Sequence, residues 1–323
     1  MPIIVPELNG SVENDPLYTA LLAEQVPVIT ASDALHQDMR PARIGLLNLM
    51  PTTAMAPTEL QWLRHVGQSF LQIDPVLIKF DDDPRGRWED AEESPLLRRY
   101  MPFSVATEEP LDGLIVTGAN LETVSDQDGM RRPLAFHDIH FQKELAAIVD
   151  WADSNIPFTI YSCLASHFAL HHRYDLQREI TPTKTFGVFA HDRTDSGMSS
   201  AITKDMNDRI RAPHSRWGNI LAEELERVRG LSVLAISAEA GWLLAEAPNR
   251  AGGIDLYVQG HPEYQRGDLD SEYRRDAASG QAMPVGYYRN NDPTQGAELN
   301  WKSDARALHA NWIDAVYRCY SQG

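Results

Sequence analysis

The chain has 323 residues, 43% of them hydrophobic, and a formal net charge of −17. That length suits one large α/β domain or two smaller ones, and the acidity argues against nucleic acid or an anionic membrane surface as the main partner. Its two cysteines, Cys163 and Cys319, supply neither a disulfide framework nor metal-ligand spacing, so a reducing, cytoplasmic setting is expected and no metal or other cofactor is implied.

Residues 1–14 carry no basic segment followed by an apolar run, so no secretory leader is expected. No stretch reaches the length of a membrane span. Residues 1–40 read as an N-terminal extension packed on the domain, with a short helix over 17–24, and residues 41–323 as a single domain. Residues 44–50 are apolar almost throughout, the pattern of a strand buried on both faces, and Pro51 ends it. Leu60, Leu63, Val66 and Phe70 recur at helical spacing, which predicts a helix over 58–70 with Thr58 as its cap. Residues 75–80 and 112–118 are the second and third strands. The charged, proline-containing stretch 81–107 between them reads as a loop with one short helix, and 126–132 as a polar surface insertion. A helix is predicted over 140–154.

Phe158-Thr-Ile-Tyr-Ser162 is β-branched and aromatic, a short buried strand. The following residues 164–172 favour helix, and Cys163 stands where one becomes the other. A side chain on such a turn is held away from the sheet, beside the first free N–H groups of the helix. Those groups and the positive helix end favour a thiolate and a developing oxyanion. The arrangement is the thiol analogue of a serine nucleophile elbow. The plain alternative is a small buried hydrophobe.

Beyond residue 180 strands are expected at 186–189, 231–236, 241–245 and 255–260, extending or closing the sheet. Ala212-Pro-His-Ser-Arg216 reads as a polar loop. Residues 268–279 form a helix. A long amphipathic helix over 303–320 ends the chain; an exposed apolar face on it would permit a homodimer, and Cys319 there is a packing residue. Alternating strands and helices predict an α/β fold, a mostly parallel sheet flanked by helices. Ligands then bind at the carboxyl ends of the strands, which places Asn48-Leu-Met, Thr117-Gly118 and Cys163 along one edge.

Gly260-His-Pro-Glu-Tyr264 follows a predicted strand. In extended backbone His261 and Glu263 share a face. A histidine near Cys163 can take its proton, and a glutamate can fix the imidazole tautomer. Cys163, His261 and Glu263 thus qualify as nucleophile, base and orienting acid. A turn with a surface carboxylate remains the plain alternative.

That segment resembles the histidine segment of the homoserine O-acyltransferase family, whose fold is like that of class I glutamine amidotransferases. Asn48-Leu-Met-Pro51, Gly113-Leu-Ile-Val-Thr-Gly-Ala119, Lys184-Thr-Phe-Gly-Val-Phe189, Ala212-Pro-His-Ser-Arg216, Glu272-Tyr-Arg-Arg-Asp276, Asn291-Asp-Pro293 and Asn300-Trp-Lys-Ser303 agree with it in order. The resemblance implies a ping-pong reaction in methionine biosynthesis. Cys163 takes an acyl group from an acyl-CoA co-substrate as a thioester, and the homoserine hydroxyl attacks it with His261 as base. It also implies substrate contacts at Lys184, Ser215 and Arg275. Arg275 suits an α-carboxylate, and Glu272, one turn earlier, suits an α-ammonium or an ion pair to Arg275. A carboxylate at the position of Glu122 goes with acetyl users and glycine with succinyl users, so Glu122 leans acetyl over succinyl.

Two departures bear on the site. Thr52 and Thr53 stand where the family usually has lysine, and Leu164 and His167 where it has an aromatic residue and a glutamine. Serine as acceptor, a succinyl donor, an amidotransferase-like cysteine hydrolase and a catalytically idle binding protein on the same fold stay open at this level.

Overall fold

The structure, a computed structural model, describes residues 2–5, 16–35, 40–69, 71–83, 85, 97–125, 131–280 and 282–320. Strands form where β-branched and aliphatic residues run between polar turns. In chain order they are β1 (Ile3–Val5), β2 (Val28–Thr30), β3 (Ala42–Leu47), β4 (Ile73–Lys79), β5 (Met101–Pro102), β6 (Gly113–Val116), the hairpin of β7 (Thr123–Ser125) and β8 (Arg131–Pro133), β9 (Phe158–Ser162), β10 (Glu179–Arg193), β11 (Arg209–Asn219), β12 (Ser232–Ser237), β13 (Gly241–Pro248) and β14 (Ile254–Val258). Twelve of them build one sheet in the order β11-β10-β12-β13-β14-β9-β6-β3-β4-β1-β2, with β5 added beside β4. From β2 to β14 neighbouring strands are parallel; from β14 to β11 they are antiparallel. The fold is therefore α/β with a mostly parallel sheet.

The helices are α1 (Pro16–Ala23), α2 (Ala31–Ala34), α3 (Thr52–Val66), α4 (Phe103–Ala106), α5 (Gln142–Asn155), α6 (Leu164–Tyr174), α7 (Asp195–Ser199), α8 (Ala222–Glu226), α9 (Asp268–Asp276) and α10 (Lys302–Tyr320). One apolar layer joins α1, α3 and α10 through Leu21, Trp62, Leu63, Trp312 and Ile313. A second joins α5 and α6 through Leu145, Ile148, Phe168 and Leu170. A third, with Phe186, Leu269, Tyr287 and Trp301, holds the segment before α10 against β10 and α9. No helix among the described residues is long and apolar enough to cross a membrane.

Several expectations change in detail. The first forty residues do more than pack on the domain, because β1 and β2 join the sheet beside β4. The helix predicted from Thr58 begins at Thr52, behind Pro51, and runs through Pro57. Proline marks a helix stop in sequence, yet one in the second turn removes a single hydrogen bond and here faces a cleft. Thr58 is therefore an interior, buried residue and no cap, and Phe70 lies outside the described residues. Ala212-Pro-His-Ser-Arg216 is not a loop but the middle of β11, paired from Ala212↔Phe189 to Arg216↔Thr185. Proline misleads here because β11 is the sheet's edge strand, where a missing N–H is tolerated. The 126–132 insertion falls largely outside the described residues; its ends form the β7–β8 hairpin.

Candidate active site

Cys163 stands between β9 and α6 at φ 49°, ψ −110°. Its N–H donates to Val258 O at 2.7 Å, and its carbonyl accepts from Ser166 Oγ at 2.7 Å and His167 N at 3.1 Å. The backbone is thus pinned in a conformation that L residues seldom adopt. Leu164 opens the helix, so its N–H has no acceptor one turn back. Gly118, after β6, makes room for the thiol: a Cβ there would lie 3.2 Å from Cys163 Cβ and 3.9 Å from Sγ.

His261 follows β14 and is fixed by donation of its N–H to Pro213 O at 2.7 Å. Its ring stacks on Tyr264, with centroids 4.3 Å apart. Nδ1 meets Glu263 Oε1 at 2.7 Å, and Cys163 lies near enough to act on the charge of the ring. Burial opposes a charged imidazole, but Glu263 and Cys163 outweigh it and raise the His261 pKa well above the ordinary value. His261 and Glu263 do not meet across one face of extended backbone. Tyr264 N donates to His261 O at 3.1 Å, closing a turn, and the turn brings the two side chains together.

Glu272, on α9, accepts from Lys184 Nζ at 3.1 Å, from Tyr264 Oη at 2.8 Å and from Ser215 Oγ. Lys184 also lies 4.5 Å from the Phe186 ring centroid. Arg275 does not pair with Glu272 among the described contacts. Its Nε and Nη2 donate to Asp276 at 2.6 and 2.7 Å, and its side chain is 59% exposed. Glu122 is buried; its carboxylate accepts from Trp217 N and Gly218 N, both at 2.8 Å. Half-buried Arg178 and buried Arg216 stand near Glu122 and Cys163.

All eight residues singled out from sequence, Cys163, His261, Glu263, Lys184, Ser215, Arg275, Glu272 and Glu122, line one cleft of about 610 Å³. Met50, Ala54 and Pro57 line it too, while Thr52 opens α3. The Asn48 and Met50 carbonyls accept from Arg85 Nη1 at 2.7 Å each, and Leu49 N donates to Thr117 Oγ1 at 2.9 Å. Sequence reasoning missed Tyr264 as a cleft donor, although it ends the quoted His-Pro-Glu-Tyr segment. It also missed Arg64 on α3, whose Nη2 donates to Glu263 O at 3.0 Å; an arginine in an amphipathic helix carries no local mark of such a reach.

The arrangement offers a thiol beside a helix end, an imidazole with a carboxylate on Nδ1, and a carboxylate held by three donors where a cationic group can bind. Among solved structures the chain is similar to a glutamine amidotransferase from Thermotoga maritima, with a TM-score of 0.52 at 9% identity over 86% of this chain and 99% of that one. Its fold is thus class I glutamine amidotransferase-like. It is 34% identical to the homoserine O-succinyltransferase of Pseudoalteromonas atlantica, over 97% of this chain and 94% of that protein. It is 33% identical to the homoserine O-acetyltransferase of Clostridium acetobutylicum, over 97% and 96%. The model of the homoserine O-succinyltransferase family matches residues 11–322. Matched over nearly its whole length, with relatives that carry succinyl and acetyl names alike, the chain belongs to the homoserine O-succinyltransferase family.

Proposed function

We propose that the protein transfers an acyl group, acetyl in preference to succinyl, from its CoA thioester to the hydroxyl of homoserine, through a thioester on Cys163. The observation that carries the reading is the convergence of Cys163, His261 and Glu263 with the Glu272 cluster on one cleft. The Cys163 proton passes to the His261 nitrogen not bonded to Glu263. The thiolate attacks the thioester carbonyl, the CoA sulfur leaves, and it takes that proton with it. The homoserine hydroxyl then gives its proton to His261 while its oxygen attacks the enzyme thioester and releases the Cys163 sulfur. The Leu164 N–H and the α6 terminus stabilise the oxyanion in both halves. Glu272 receives the α-ammonium and Arg275 the α-carboxylate, with Lys184 and Ser215 yielding part of their hold on Glu272. Such a product serves methionine biosynthesis, and a thiol nucleophile with both cysteines free suits the cytoplasm.

Glu122 supports acetyl. Its side chain fills the cleft wall and sets a carboxylate where a succinyl group would bring a second one. The test is intact mass after mixing with acetyl-CoA or succinyl-CoA, then with homoserine or serine. An acetyl increment lost on adding homoserine is expected, and Cys163→Ser should abolish it. No increment from either donor returns the chain to an amidotransferase-like or idle role.

A further inference from the structure

Tyr264 is held at its backbone, its ring face and its tip. Its N–H donates to the His261 carbonyl at 3.1 Å, and its own carbonyl accepts from Trp301 Nε1 at 3.0 Å. Its ring lies against the His261 imidazole, with centroids 4.3 Å apart and planes inclined by 19°. Its hydroxyl donates to Glu272 Oε1 at 2.8 Å. Burial first, then the Glu272 and Glu263 charges, raise the phenol pKa well above its ordinary value, so Oη keeps its proton and serves as a donor.

We propose that Tyr264 is a positioning residue that sets the chain length of the amino-acid acceptor: its ring places the His261 imidazole, its hydroxyl places the Glu272 carboxylate, and the span between the two is that of one tyrosine. This rests on His261 serving as base and Glu272 as ammonium site, as proposed above.

The other partners of these two groups do not supply such a span. Glu263 meets His261 at Nδ1, a contact at the edge of the ring that does not set its tilt. Lys184 Nζ and Ser215 Oγ both hold Glu272 at Oε2, and they come from β10 and β11 rather than from the His261 segment. Among the described residues Oε1 has Tyr264 alone. An incoming ammonium that loosens Lys184 and Ser215 therefore leaves the Tyr264 hydrogen bond to keep the carboxylate in place. No rotatable bond lies between a tyrosine ring and its oxygen, so base and carboxylate cannot drift apart independently. Homoserine and serine differ by one methylene between hydroxyl and α-carbon. At a fixed span only one of these lengths brings the hydroxyl to His261 while the ammonium rests on Glu272, and one methylene is worth about 10-fold or more in discrimination.

Ring and hydroxyl can be tested apart. Wild type, Tyr264→Phe and Tyr264→Leu are acylated on Cys163 with whichever of acetyl-CoA and succinyl-CoA the wild type accepts. Loss of the acyl increment is then followed by intact mass over a range of homoserine and of serine. Tyr264→Phe keeps the stack and frees Glu272. Its preference for homoserine over serine should fall about 10-fold, through a higher half-saturating homoserine concentration, while acylation changes far less. Tyr264→Leu, which loses the stack as well, should also slow acylation. A Phe variant with the wild-type preference overturns the proposal, as does one whose acylation and discharge slow equally, the mark of a general loss of structure. Should the Leu variant not fold, these Phe outcomes decide. A serine preference in the wild type that the Phe variant loses fails the homoserine reading and upholds the spacer. If neither CoA thioester acylates the wild type, the transfer reading fails by itself. Homoserine and serine are then compared as protectants of the Cys163 peptide against iodoacetamide. A preference that Tyr264→Phe weakens about 10-fold upholds the spacer; an unchanged preference, or none in the wild type, overturns it.

Discussion

Cys163 was legible because two local patterns meet at it: a β-branched run that can only be strand and a helix former that follows. The positive φ was foreseeable in kind, since a residue on that turn is aimed off the sheet, and it costs about 1–3 kcal/mol that the surrounding hydrogen bonds must hold. Glu122 was legible only as a motif position. What the sequence could not tell is that its carboxylate bonds to the Trp217 and Gly218 N–H groups on the far edge strand. Arg178 and Arg216 stand near it there. This sharpens the expectation for Glu122→Gly. Removing the side chain opens the wall and takes a negative charge from beside two arginines, so the distal carboxylate of a succinyl group can take its place. The ratio of succinyl-CoA to acetyl-CoA use should rise by about 10-fold or more, an effect of about 1.4 kcal/mol. An unchanged ratio, with the protein folded, removes Glu122 from acyl choice. Arg275 shows the opposite limit of reading by spacing: Glu272 and Arg275 are one turn apart, yet each has a better partner, Lys184 and Asp276 respectively.

The parallel half of the sheet was read well because strands buried on both faces are nearly continuous apolar runs. The antiparallel half was read less well. Strand β10 runs for fifteen residues with a register shift between Ile180 and Thr185, and only its apolar centre stands out in sequence. Strand β11 hides behind Pro213, and α3 begins ahead of Pro57. In both, the rule that proline breaks structure is sound for interiors and fails at edges and ends. Gly187 in β10 carries more than its motif suggests. Its φ is +146°, and a Cβ there would come within 2.3 Å of the Val285 carbonyl oxygen. Val188 N donates to Val285 O at 2.8 Å, and Val285 N to Phe186 O at 3.0 Å, so this contact fastens the segment before α10 to the strand that carries Lys184. Gly187→Ala should cost about 1–3 kcal/mol in urea denaturation through overpacking and backbone strain. It should also raise KM for the amino-acid acceptor more than for the acyl donor. Equal stability to wild type shows that the contact is dispensable.

At the scale of the whole molecule, the buried histidines work against the folded state as pH falls. His65, His167, His191, His214 and His309 are all held neutral with burial as the leading cause, His191 and His309 down to about 4. Their folded values lie below the unfolded one. As pH falls below about 6.5 the unfolded chain takes up protons that the folded chain refuses, so stability is lost from there toward pH 4. With values near 4, His191 and His309 each remove about 2 kcal/mol between pH 7 and pH 5. Asp255, raised by burial to about 6, acts in the opposite direction, since the folded state then holds the proton more tightly. Asp74, Glu144, Glu246, Asp268 and His261, also raised, act with it, so the histidine contribution is read by comparing variants. His309→Phe, which keeps a ring against His65, should make stability at pH 5 relative to pH 7 more favourable by about 2 kcal/mol; an unaltered pH dependence contradicts the assignment. None of this was visible in the count of eleven histidines, because burial depends on packing partners far away in the chain. Cys163 donates its N–H to Val258 O, at the end of β14, three residues before His261. Cys163 and His261 therefore hang from neighbouring strands, one inter-strand step of about 4.8 Å apart at the centre of the sheet. Parting β9 from β14 separates them, so under heat or denaturant the loss of their pairing should track the unfolding of the sheet itself.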